Sequence, residues 1–145
     1  MTNIISVINQ KGGVGKTTTV VNLATAMAAC DKRTLIIDAD PQGNASTGFG
    51  VKYNDRNKDL YAVICGKTEM ADSIKRTMIP KLDIIPTSPD LSALEQELVN
   101  LKDREFIIKN LLEKISFKYD YIFIDCPPSL GLITLNALCA VKSLI

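Results

Sequence analysis

The sequence predicts an α/β domain, a mainly parallel sheet with helices on both faces. Three observations carry the prediction. Apolar runs of strand length alternate with stretches of helical periodicity along the chain. A glycine-rich stretch, residues 9–18, separates the first apolar run from the first helical stretch. Two later apolar runs each end in an aspartate, Asp38 and Asp125. Alternation of strand and helix builds parallel sheets. In such sheets ligands sit outside the carboxyl ends of the strands.

The first strand is Ile4-Ile5-Ser6-Val7-Ile8, β-branched and apolar. The helix that follows, over residues 18–30, carries Val20, Leu23, Ala24 and Met27 at helical spacing. Between them runs Asn9-Gln10-Lys11-Gly12-Gly13-Val14-Gly15-Lys16-Thr17-Thr18. Glycines let a backbone curl tightly enough for successive N–H groups to point at one anion. The positive end of the helix dipole then faces the same anion. Gly15-Lys16-Thr17 fits the end of the phosphate-binding pattern G-x-x-x-x-G-K-[ST], with Lys16 for the β- and γ-phosphates and the Thr17 hydroxyl for Mg²⁺. Gln10 stands where that pattern has its first glycine, and a second lysine, Lys11, follows it.

That departure resembles the deviant Walker A loop of the ParA/Soj/MinD ATPases, a family that includes the nitrogenase iron protein. The resemblance rests on Lys11-Gly12-Gly13-Val14-Gly15-Lys16-Thr17-Thr18 and covers the whole chain. It implies a P-loop NTPase fold and ATP with Mg²⁺ as cofactors; ATP over GTP rests on the family alone. It assigns nucleotide binding to residues 11–18, that is Lys11, Gly12, Gly13, Val14, Gly15, Lys16, Thr17 and Thr18. Lys11 is implied to reach across a homodimer interface to the partner's nucleotide, acting as an arginine finger does.

Asp31-Lys32-Arg33 breaks the first helix, and Thr34-Leu35-Ile36-Ile37-Asp38 is a second buried strand. Asp38-Ala39-Asp40-Pro41-Gln42-Gly43-Asn44 follows. Period-two alternation puts Asp38 and Asp40 on one side. One such carboxylate can hold the water shell of Mg²⁺ and the other can orient an attacking water; the run is also turn chemistry. This segment resembles switch I of the chromosome- and plasmid-partitioning branch. By that resemblance Asp40 positions the hydrolytic water, Asp38 supports the metal's water shell, and Lys11, Lys16 and Asp40 form the catalytic set.

Residues 53–58 read as a surface loop. Leu60, Val63 and Ile64 suggest a short helix closed by Gly66. Residues 67–81 have no clear state, with Ile74, Met78 and Ile79 expected to pack. Leu82-Asp83-Ile84-Ile85 is a short strand. Ser88-Pro89-Asp90 opens a helix with Leu91, Leu94, Leu98 and Leu101 along one face. Asp103 is expected to cap the next helix, with Phe106, Ile107, Leu111 and Ile115 as its stripe.

Tyr121-Ile122-Phe123-Ile124-Asp125 is a buried strand ending in a carboxylate, the Walker B arrangement that binds Mg²⁺ through water. With Asp38 placed by the resemblance, the expected metal residues are Thr17, Asp38 and Asp125. Cys126-Pro127-Pro128-Ser129-Leu130-Gly131 resembles the family's switch II. Residues 132–140 are helical by periodicity, and Ser143-Leu144-Ile145 reads as the opening of a further strand. Residues 1–145 are accordingly expected to form the N-terminal part of a single P-loop ATPase domain, truncated at the C-terminus.

Composition narrows the chemistry. There is no histidine, which excludes a His base, a His metal ligand and a Ser-His-Asp triad. Cys30, Cys65, Cys126 and Cys139 form no C-x-x-C pair, and Cys30 and Cys139 read as small core residues. A net charge of +1 gives no sign of bulk nucleic-acid binding. No signal peptide or membrane-length apolar run is present in the sequence. The resemblance implies a cytoplasmic, nucleoid-associated ATPase switch for chromosome or plasmid partitioning. It would bind DNA without sequence preference as an ATP-dependent homodimer and be released by a ParB-type DNA-binding partner, with no membrane role. The alternatives are a MinD-like membrane-cycling cell-division regulator, which Asp40-Pro41-Gln42 disfavours, and a nucleotide-gated interaction module without turnover.

Overall fold

The computed structural model describes residues 1–8, 15–141 and 143–144. The elements in chain order are β1 (Asn3–Val7), α1 (Lys16–Ala29), β2 (Thr34–Asp38), α2 (Asn44–Gly48), α3 (Leu60–Ile64), α4 (Met70–Ser73), β3 (Lys75–Arg76), β4 (Leu82–Ile85), α5 (Leu94–Glu97), α6 (Ile107–Glu113), β5 (Tyr121–Asp125), α7 (Leu132–Ala140) and β6 (Ser143–Leu144), with short 3₁₀ turns between some of them. One six-stranded sheet has the order β3-β4-β2-β5-β1-β6. Every pairing is parallel except that of β3 with β4.

Alternation along the central strands divides the core into two layers. Leu35, Ile37, Ile122 and Ile124 face one side, where they pack with Leu60, Leu94, Ile108, Leu112 and Ile133. Ile36, Ile84, Phe123 and Val7 face the other, where α1 supplies Val20, Ala24 and Ala28. Helices thus cover both faces. The β2 strand is buried at all five positions, as a central parallel strand must be.

The register aligns the strand ends that matter. Asp38 pairs with Asp125, and Asp125 with Val7, so β2, β5 and β1 finish side by side. The chain leaves β1 into residues 9–14 at that border, and α1 begins just beyond it at Lys16.

Several local expectations hold in detail. The short helix expected around Leu60, Val63 and Ile64 forms as α3, and Asp59, which the sequence did not single out, caps it, its Oδ1 accepting from the Ala62 amide at 3.0 Å. Gly66 closes the same helix in the left-handed region (φ 75°), with the Gly66 and Lys67 amides bonded back to Val63 and Ala62. Ser143–Leu144 does open a strand, parallel to β1.

Other expectations are corrected. The leucine stripe does not lie on one helix. Residues 89–93 are a 3₁₀ turn, α5 is a single turn, Leu91 and Leu94 are buried, and Leu101 is exposed. The Val99 carbonyl, which a continuing helix would bond to residue 103, instead accepts from Arg104 Nη1 at 2.7 Å. Ser88 and Asp103 make no side-chain cap, and Asp103 sits at φ 59°. Around α6 the buried positions are Ile108, Leu112 and Ile115, while Phe106 is partly exposed. Within the undecided stretch α4 and β3 form; Ile74 and Ile79 pack, but Met78 is exposed. The loop around residues 53–58 holds a 3₁₀ turn and a buried arginine, Arg56. Cys30 is exposed at the end of α1 and Cys139 is half-buried, so neither is a core residue.

Candidate functional site

At the aligned ends of β5 and β2, Lys16 is the hub. Its Nζ bonds the Asp125 carboxylate and lies 3.6 Å from Asp40 Oδ2. Thr17 Oγ1 donates to Asp125 Oδ2 at 2.9 Å. These three residues, with Asp40, come from α1, the end of β5 and the loop after β2. Burial pushes the Asp125 carboxyl above its ordinary range, and the Lys16 and Thr17 bonds oppose that rise.

Among the described residues, the start of α1 has no side-chain cap. Gly15, in the left-handed region at φ 69°, stands at the N-cap with no side-chain bond, and the first turn has no acidic residue. The first amides of a helix need partners from outside it, and its dipole is positive there. An anion meets both needs. Thr18 is exposed within the same turn. Lys11, Gly12, Gly13 and Val14 lie outside the described residues.

Asp38 and Asp40 diverge in their partners. Asp40 Oδ1 accepts from the Gln42 amide at 3.0 Å, which closes a tight turn and leaves Oδ2 toward Lys16. Asp38 is fully buried. Its Oδ2 accepts from the Ser46 amide at 2.8 Å and the Ser46 hydroxyl at 2.6 Å, and its Oδ1 from the Asp40 amide at 3.3 Å. Ser46 Oγ in turn accepts from the Thr87 amide at 3.1 Å. Burial raises the Asp38 carboxyl to about 7 despite the Ser46 bonds, and nearby Asp125 pushes it the same way. Ser46 and Thr87 carried no signal in the sequence, because a serine three residues past a turn looks like any polar surface residue.

Among the described residues no group of three or more His, Cys, Asp or Glu side chains is arranged to hold a metal by itself. The Thr17 hydroxyl and the Asp125 carboxylate, side by side, are oxygen donors of the kind Mg²⁺ takes, an ion that binds one or two carboxylates, keeps water and completes its shell with phosphate oxygens. Cys126, next to Asp125, is buried, and that burial pushes its thiol up to about 12. A cleft of about 370 Å³ opens beside Asp40, lined by Pro41, Gln42, Tyr53, Pro127 and Pro128, so the two expected switch segments face each other across it.

Relatives sharpen the reading. A family model described as an AAA domain matches residues 2–145. The "Chromosome partitioning protein ParA" of Myxococcus xanthus is 46% identical over 142 residues, covering 98% of this chain and 50% of that protein. The "Sporulation initiation inhibitor protein Soj" of Bacillus subtilis is 48% identical over 145 residues, covering 100% of this chain and 57% of that protein. The chain belongs to the ParA/Soj-type P-loop ATPase family. It spans about half the length of these curated relatives. Two solved structures share the fold. A cobyrinic acid a,c-diamide synthase from Mycobacterium smegmatis with bound ADP and magnesium superposes with a TM-score of 0.95 at 36% identity, over 99% of this chain and 58% of that one. A plasmid partition protein from Borrelia burgdorferi gives 0.91 at 28% identity, over 99% and 64%. Lys16 and Thr17 stand at the start of α1 and Asp125 at the end of β5.

Proposed function

We propose that this protein binds ATP with Mg²⁺ and hydrolyses it as a dimeric switch in chromosome or plasmid partitioning. One observation carries the reading: Lys16 and Thr17 meet Asp125 and Asp40 at the start of a helix whose first amides have no side-chain cap among the described residues. The bound nucleotide supplies a transferable phosphoryl group, and Mg²⁺ neutralises its oxygens. Lys16, held here by two carboxylates, turns its charge to the phosphates when they arrive. Thr17 and Asp125 then present oxygen atoms to the metal side. Asp40 is the acceptor that orients water, and the Gln42 amide fixes its carboxylate for that role. Asp38 acts from behind, through Asp40 and the β2–β5 border. Lys11 reaches the nucleotide of the partner subunit in the dimer.

The names of the relatives support the partitioning role over a division-site role. Non-specific DNA binding in the ATP state and release by a ParB-type partner complete the proposed cycle. No helix among the described residues is long and apolar enough to cross a membrane. The test is Mg²⁺-dependent ATP turnover, together with sedimentation of the ATP-bound protein, for wild type and Lys11→Ala. Turnover that needs Mg²⁺ and falls in Lys11→Ala supports the scheme. Equal turnover and equal dimer formation in the variant would remove the trans role, and no turnover in the wild type would remove the hydrolytic one.

A further inference from the structure

Arg56 is a charge the proposed chemistry does not use, and its burial is costly. Only 4% of it is exposed, and among the described residues no carboxylate lies within ion-pair distance. Taking a guanidinium out of water without a counter-charge carries a large desolvation penalty. The partial compensation is local. Val51 O accepts from Nε at 2.9 Å and from Nη2 at 2.6 Å, Thr47 Oγ1 accepts from Nη2 at 3.1 Å, and the guanidinium lies 4.5 Å from the centre of the Tyr53 ring. Nη1 has no partner among the described residues.

That remaining nitrogen lies under the turn that carries Asp40. A Cβ built on Gly43 would come 2.7 Å from Nη1, so a glycine is what lets the guanidinium slide beneath residue 43. Gly43 also adopts φ 69° and bonds its amide to the Asp40 carbonyl at 2.9 Å. The turn from Asp40 to Gly43 therefore rests on Arg56 on one side and on α2, which Arg56 also grips through Thr47, on the other. Nη1 thus lies against residue 43 of the turn that begins at Asp40, with no hydrogen-bond partner among the described residues.

We propose that Arg56 is a positioning residue for Asp40: it staples the turn at residues 40–43 to α2 and sets where the Asp40 carboxylate stands. This rests on the reading that Asp40 orients water for hydrolysis. Two variants of the full chain test it, Arg56→Ala and Gly43→Ala. The second keeps every atom of Arg56 but pushes Nη1 away and places a side chain at φ 69°, so it perturbs the same turn from the residue 43 side. Both are expected to lower kcat by about ten- to a hundredfold, the scale of a displaced catalytic group, with KM for ATP within about twofold of wild type. Millimolar guanidinium should restore part of the loss in Arg56→Ala and none in Gly43→Ala. A folded variant that keeps the wild-type kcat, or one whose loss lies in KM alone, overturns the proposal.

A wild-type protein that does not hydrolyse ATP defeats the hydrolytic reading instead. The staple is then judged by amide hydrogen exchange. Exchange at Gly43, Ser46 and Thr47 should rise in Arg56→Ala while the β5 amides stay protected. Unchanged exchange at those three amides overturns it.

Discussion

Ser46→Ala is the substitution with the most to say about how the site is held. Ser46 is fully buried, and its hydroxyl does two things at once. It donates to Asp38 Oδ2 at 2.6 Å and accepts from the Thr87 amide at 3.1 Å. Alanine removes a bond to a carboxyl group and strands a buried N–H. Each effect is worth about 1–3 kcal/mol, so the loss should be about 2–6 kcal/mol in all. The size of the loss should depend on pH. The Asp38 carboxyl titrates near 7 in the fold and near 3.8 when unfolded. Between those values the native state holds the extra proton, so this group's contribution is fully present at low pH and fades as pH rises through 7. The Ser46 bonds act against that rise, because they favour the ionised form. Removing the hydroxyl lifts the Asp38 carboxyl further, and the variant should lose more stability at pH 8 than at pH 5. Urea unfolding without nucleotide or Mg²⁺, at both pH values and with an unchanged m-value, reads the difference. A loss below about 1 kcal/mol at both pH values, or a larger loss at pH 5, would refute the reasoning.

Three further outcomes follow from the same geometry. Lys16→Ala should weaken nucleotide binding by about a hundredfold, measured by titration with a fluorescent ATP analogue, because it deletes the cation placed between Asp40 and Asp125. Asn136→Ala should destabilise by about 2–4 kcal/mol in thermal or urea unfolding; Asn136 is buried, donates to the Arg104 and Leu132 carbonyls at 2.9 and 3.0 Å, and accepts from the Ile108 amide at 3.1 Å. Tyr119→Phe should cost about 1–2 kcal/mol by the same assays, since the Tyr119 hydroxyl donates to Asp83 Oδ2 at 2.8 Å and ties residue 119 to β4.

The sheet was legible because burial wrote it into the chain. β2 and β5 are continuous apolar runs closed by a carboxylate, and only a strand covered on both faces tolerates that composition. Lys16, Thr17, Asp40 and Asp125 could be singled out because each sits at a strand end or helix start, where sequence neighbours fix the location. The outer segments were harder. Leu98 and Leu101 obey helical spacing, yet a side chain from residue 104 takes the carbonyl that a longer helix would need. Arg56, Ser46 and Thr87 act through contacts with other segments, which no spacing rule encodes. Asp38 shows the same limit: alternation places it beside Asp40, but the Ser46 hydroxyl decides where its oxygens go.

The outermost strand on one side, Lys75–Arg76, is two residues long, runs against its neighbour and is followed by Pro80. A stranger chain seeking to extend the sheet there would find two cations and almost no open ladder, which are the features that discourage edge-to-edge aggregation. Self-association by adding strands is thereby blocked along that border. Copies of this protein are left to meet through other surfaces, and the rim where β1, β2 and β5 finish together is among them.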